Sequence, residues 1–282
     1  MSGTVKKVIY LTNRDLLEEI HKSKNSYSEF TDKKYENYDF IVTSLDQVTP
    51  ERLEQAQQKK VADRISRIKK EYAANGVKNY KPVVDISEFP LDEIVIRLMT
   101  FDHIPPNPNE EKLAKAKTVS ERHVRCNFPP FQHYIFQDGE FKLVGQSHYK
   151  NGEFSLTHGK MTNRLAKMFM MLVEKYGHRG NWRNYTYLDE MKGQALLQLS
   201  QVGLQFDESR SDSPNPFSYF TTVLKSSFIR NLNLEKRNQD IRDDLLIMSG
   251  AMPSYTRQTE NDIQNQKTTA EHKSKKAVTD IE

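Results

Sequence analysis

From Leu188 to Arg237 the chain reads LDEMKGQALLQLSQVGLQFDESRSDSPNPFSYFTTVLKSSFIRNLNLEKR. Two helices and the loop between them are legible in this stretch. Leu188, Met191, Ala195, Leu199 and Val202 recur at the spacing of one helix face, with a stop expected near Gly203. Asn215-Pro216 then opens the next helix. Asparagine can accept from a free first-turn amide, and proline suits a position whose amide would have no helical partner. The apolar positions that follow are Phe217, Phe220, Leu224, Phe228 and Leu232. Upstream, Leu165, Met168, Phe169, Leu172, Val173 and Tyr176 form an earlier stripe that Gly177 closes. The last third is therefore read as three amphipathic helices.

The same periodicity weakens towards the N-terminus. Thr12 to Asp15 caps a first helix with Leu16, Leu17 and Ile20 on one side. Lys22 to Asp39 has no clear period and reads as loop. Thr49-Pro50-Glu51 opens a long charged helix through Leu53, Ala56, Val61, Ile65 and Ile68, ending at Asn75-Gly76. Val83 to Ile86 and Ile94 to Leu98 are β-branched runs that predict strands. His133 to Phe136 and Phe141 to Val144 flank Asp138-Gly139, a hairpin signature, and Asn151-Gly152 marks another turn. The fold class expected is mainly α with an α+β N-terminal module.

Composition narrows the function classes. The chain has 282 residues, 42 basic and 38 acidic, for a net charge of +4, so clustering of charge matters more than its sum. One cysteine, Cys126, precludes an internal disulfide and fits a reducing, cytoplasmic setting. No apolar stretch approaches the roughly 20 residues that span a bilayer. No signal-peptide core follows Met1, so no membrane partner is expected. Neither G-x-x-x-x-G-K-[ST] nor G-x-G-x-x-G occurs, and no cofactor is expected. His123 and Cys126 have ligand-like spacing among His103, His133, His148 and His158, yet no complete second pair joins them, so no metal is expected. Asp85, Glu88, Asp92 and Glu93 read as a charged edge or cap, and Lys59-Lys60 with Lys69-Lys70 as a solvated helix face.

The last long helix carries the functional signal. Phe217, Tyr219 and Phe220 open it, and Lys225, Arg230, Lys236 and Arg237 follow. Aromatic rings stack on unpaired bases for roughly 1–3 kcal/mol each, and cations neutralise phosphates. The bland alternative is a core helix with a charged face, and Phe217 and Phe220 suit a core equally well.

The order Asp189-Glu190-Met191, Gln205-Phe206-Asp207, polar loop, Asn215 to Thr221, then Glu235-Lys236-Arg237 resembles sigma region 2. It is most similar to the late-promoter sigma factors of large tailed phages. Tyr10 to Leu17 looks like the start of those proteins too. The resemblance covers residues 8–20 and 160–240. It implies a sigma region 2-like helical domain over 159–246, whereas the residue patterns themselves give N-terminal helices and a small α+β module of unknown role over 1–158, unusual for that family, and a flexible polar tail over 247–282. It further implies a non-enzymatic subunit of host core RNA polymerase that recognises a −10-type element. Glu190, Gln194, Gln198 and Gln201 would contact the coiled coil of the largest subunit. Phe217, Tyr219, Phe220, Lys225, Arg230, Lys236 and Arg237 would hold promoter DNA. A sliding clamp and a late co-activator are further implied partners. The chain departs from the pattern at Val223 and Leu224, where housekeeping relatives carry tryptophans, and at the poorly matching Lys275 to Glu282 that would meet the clamp. The alternatives are a metal-dependent nucleic-acid enzyme and a structural or scaffolding phage protein.

Overall fold

The computed structural model describes residues 11–77, 81–211, 213–259, 261–264 and 267. Helix α1 (Asn13–Asn25) begins where Thr12 accepts from the Asp15 amide. Strand β1 (Ser28–Phe30), a 3-10 turn at Lys33–Tyr35 and strand β2 (Phe40–Val42) follow. Thr49 and Pro50 start helix α2 (Pro50–Ala74) as the sequence predicts. Gly76 ends it with a φ of 84°, the left-handed region that glycine enters without steric cost. Strand β3 (Ile96–Met99), the short helix α3 (Glu110–Lys115), strands β4 (Phe131–Gln137) and β5 (Glu140–Ser147), and the small hairpin β6 (Tyr149–Lys150) and β7 (Glu153–Phe154) complete this part. Helices α4 (Asn163–Gly177), α5 (Leu188–Val202) and α6 (Pro216–Met248) close the chain order.

The sheet runs β1-β5-β4-β3-β2, antiparallel except for the parallel pair β2 and β3. A parallel pair needs a long crossover, and α2 supplies it. Alternation along β3 gives each face its own cover. Ile94, Ile96 and Leu98 pack with Val42, Leu53 and Ala56 beneath α2. Val95 faces Ile135 and Val144 on the opposite side, where Arg97 lies between the rings of Tyr38 and Phe131. The β4–β5 turn places Asp138 and Gly139 at positive φ, as the Asp-Gly signature requires.

The largest core joins both parts of the chain. Leu16 and Ile20 of α1 and Phe128 and Phe131 at the sheet are buried with Leu165, Phe169, Met191, Leu199, Phe220 and Phe228 of the helices. Helix α1 lies N-terminal to residue 159 but packs inside the three-helix layer. The molecule is mainly helical with a small mixed sheet.

Three expectations need correction. Lys22 to Asp39 is not loop: α1 runs on to Asn25 and β1 pairs with β5. Ser23 and Lys24 are buried by polar contacts, which no apolar period reveals. Val83 to Ile86 forms no strand: Val83 is 95% exposed and Asp85 caps a 3-10 turn. Without a partner edge a β-branched run has no ladder to join. The stop expected near Gly203 is found: α5 ends at Val202 and Gly203 is its C-cap. It starts a 3-10 turn, and the Phe169 ring lies where its Cβ would be. The tail expected over 247–282 is helical at 255–259 and 261–264, and Ser254 is held by both carboxylate oxygens of Asp243. Residues 268–282, with the poorly matching Lys275 to Glu282, lie outside the described residues, as does Tyr10.

Replacing Gly203 by alanine should lower stability by about 1–3 kcal/mol through overpacking against Phe169. Urea denaturation of G203A checks this, and an unchanged midpoint would contradict the close approach.

Candidate nucleic-acid interface

Helix α6 is set by its cap. Asn215 Oδ1 accepts from the Ser218 amide at 2.9 Å, and the Phe217 amide donates to Asn13 Oδ1 at 3.1 Å, tying the start of α6 to α1. Its inward face carries Phe220, Leu224 and Phe228. Phe220 meets Phe169 edge-on at 4.9 Å, while Phe228 packs on Tyr176 and Trp182.

These contacts sort the expected DNA-binding residues. Phe220 is 0% exposed and cannot stack on a base without opening the core, so its role is corrected to packing. Tyr219 is half-buried, donates to the Val202 carbonyl at 3.0 Å and rests against Phe206. Phe217 alone of the three is open, at 38%. Lys225, Arg230, Lys236 and Arg237 are all exposed and make no ion pair among the described residues. Lys225 and Lys236 stand three turns apart on one flank, and Arg230 and Arg237 two turns apart on another. The pairs straddle the side opposite the core. With 33 residues α6 is roughly 50 Å long, against 15 residues in each of α4 and α5. Its distal half therefore projects beyond them, leaving Leu234, Ile241, Leu245 and Met248 exposed.

Helix α5 offers a different surface. Glu190, Gln194 and Gln201 are exposed along one stripe. Leu197 lies among them at 52% exposure, an apolar anchor that the polar reading of this stripe missed. Gln198 is half-buried and lines a groove of about 270 Å³ with Val202, Val223 and Arg230. Val223 faces this groove and Leu224 is in the core.

The loop between α5 and α6 is pinned from below by charge. Glu208 Oε1 accepts from Lys24 Nζ at 2.8 Å. Its Oε2 accepts from His21 Nε2 at 2.7 Å and from the Tyr38 hydroxyl at 2.6 Å, and Arg97 Nη1 lies 3.5 Å away. Lys24 also donates to the Phe206 carbonyl. Arg97 Nε donates to His133 Nε2, whose Nδ1 donates to the Tyr35 carbonyl, so His133 is neutral with its proton on Nδ1. Burial pushes the Glu208 carboxyl up, but Lys24, His21 and Arg97 more than offset it and hold it well below the usual range. Burial lowers Lys24, His21 and His133. Sequence periodicity gave no sign of this network, because its members lie on elements far apart in the chain.

The histidines and cysteine of the middle region do not converge. Among the described residues no group of three or more His, Cys, Asp or Glu could hold a metal ion. His123 Nδ1 donates to the Val119 carbonyl and its ring lies against Phe101. Burial pushes the Cys126 thiol up to about 11, so it is protonated near neutrality and is a poor nucleophile. Burial also lowers His103 to about 4 and His148 to about 3, leaving both neutral. Compared with protein-family models, curated proteins and solved structures, the chain matches none.

Two measurements follow. Glu208→Gln leaves Lys24 and Arg97 buried without a counter-charge and should destabilise by about 3–5 kcal/mol in urea titration at pH 7. The pH profile of stability should have two limbs. His103 and His148 have folded pKa values depressed below 6.5, so their contribution is present above that pH and is lost as pH falls towards 4. Glu208, depressed below 4.5, adds a second loss further into acid. E208Q should flatten the acid limb, and an unchanged limb below pH 4.5 would count against the assignment.

Proposed function

We propose that the chain is a sigma-type subunit that binds host core RNA polymerase and directs it to late promoters through a −10-type element. The single observation that carries this reading is the projecting helix α6. It presents the open ring of Phe217, and the cations Lys225, Arg230, Lys236 and Arg237, which make no ion pair among the described residues, away from the core. Such a surface suits an opened strand: the ring stacks on a base while the cations neutralise the backbone. The stripe of Glu190, Gln194, Leu197 and Gln201 on α5 supplies a separate face for a protein partner, with Leu197 as its apolar centre.

In this mechanism α5 docks on the largest-subunit coiled coil and α6 lies along the strand that melts. Glu208 holds the connecting loop, so the two faces keep a fixed relation. Phe217 stacks, and Tyr219 supports the α5–α6 seam through Val202. With Val223 and Leu224 in place of a tryptophan pair, strand capture depends on fewer rings and more on cations. The protein acts by binding alone, in the cytoplasm of the infected host. A sliding clamp and a late co-activator complete the proposed assembly.

Run-off transcription with host core polymerase on a template bearing only a −10 element tests the reading. Initiation should require the protein and fall about ten-fold with Phe217→Ala, the loss of one base–ring stack. Leu197→Ala should weaken co-purification with the polymerase while leaving oligonucleotide binding by the free chain intact. Accurate initiation without the protein, or none with it, would remove the proposal.

A further inference from the structure

A cleft of about 1170 Å³ opens between α1 and α2. That exceeds the range of about 300–1,000 Å³ typical of small-molecule sites and suits a length of polymer. Six cations line it: Arg14 and Lys22 from α1, and Lys59, Lys60, Arg64 and Arg67 from α2. Two of these have counter-charges, Lys22 with Glu18 and Glu19, and Lys60 with Asp39. Arg14, Lys59, Arg64 and Arg67 make no ion pair and no side-chain hydrogen bond among the described residues. The lining carboxylates Asp63 and Glu88 are likewise unpaired there. The cleft is therefore net positive by two charges, with three of its four free cations spread along α2. Lys59 and Arg67 stand about two turns apart, roughly 12 Å, the reach of a few nucleotides. The rings of Tyr38 and Phe89 line the same cleft. Tyr38 is held in place by its hydrogen bond to Glu208.

We propose that this cleft is a second nucleic-acid site, which takes the phosphodiester backbone of a single strand and stacks bases on Tyr38 and Phe89. Three of the four free cations are arginines, whose planar forks match phosphate oxygens in pairs. Cations interleaved with rings distinguish a polynucleotide from an acidic peptide, which would use the charges and leave the rings idle. The site lies outside α6 and goes beyond the promoter reading, since a strand bound here would be held whatever α6 recognises.

The test is fluorescence anisotropy of a 5′-labelled mixed-sequence 16-mer single strand with the full chain, titrated at several salt concentrations. The variant R14Q/K59Q/R64Q/R67Q removes four phosphate contacts. The slope of log affinity against log salt should become shallower by about 3, and affinity at 0.15 M salt should drop at least ten-fold. Unfolding midpoint and circular dichroism of the same sample report whether it remains folded, and Phe89→Leu removes a ring without touching charge and should weaken strand binding several-fold at unchanged salt slope. An unchanged slope in the folded quadruple variant would overturn the proposal. So would equal binding of duplex of the same length, or displacement of the strand by poly-glutamate at equal charge concentration. K225Q/R230Q/K236Q/R237Q on α6 is measured alongside. Loss of binding there with no change in the cleft variant defeats this inference and leaves the promoter reading, and the converse result separates them the other way.

Discussion

One buried carboxylate organises this molecule. Glu208 sits in the connection between α5 and α6 and receives Lys24 and His21 from α1, Arg97 from β3 and Tyr38 from the turn before β2. Taking these charges out of water is costly, and their mutual attraction repays it only because nearly every polar atom finds a partner. The bond from Lys24 to the Phe206 carbonyl and the chain Arg97–His133–Tyr35 complete most of that set. Arg97 Nη2 is left without a hydrogen bond, while its guanidinium is sandwiched between the Tyr38 and Phe131 rings, where cation–π attraction replaces part of its lost hydration.

Because the network draws from both ends of the chain, the sheet and the helical layer are not separate bodies joined by a linker. Helix α1 is the shared element. It gives Leu16 and Ile20 to the helical core, Lys24 and His21 to the network, and Asn13 to the start of α6. A helix so engaged fixes where α6 begins, and the length of α6 then carries Lys236 and Arg237 clear of the bundle. The opposite face of α1 borders the α2 cleft, so His21 and Tyr38 belong to the network on one side and line the cleft on the other. Positioning of both charged surfaces thus depends on the same few polar contacts.

The aromatic residues illustrate how periodicity informs and misleads. Phe220 and Phe228 fall on the apolar stripe of α6, and they are buried as that stripe demands. Reading Phe220 as a base-stacking ring used its residue type and set aside its phase. Phe217 lies a turn earlier, where α6 has only just begun and little packs over it, so the same stripe leaves it open. Leu197 is the reverse case: an apolar residue on a polar stripe, whose exposure follows from its phase and which residue type alone would have assigned to the core.

Local signals in the sequence decided the helices, their caps and the β4–β5 turn. Thr12, Thr49-Pro50, Asn215-Pro216 and Asp138-Gly139 act within one turn of chain, through backbone groups that need a partner wherever the segment sits. Tertiary structure decided what has no local signature: the pairing of β1 with β5, the absence of a strand at Val83, the place of α1 in the helical core, and the burial of Lys24, Arg97 and Glu208. A charged side chain is stable inside only beside its counter-charge, and here the counter-charges come from segments more than a hundred residues apart, which meet only when the chain has folded.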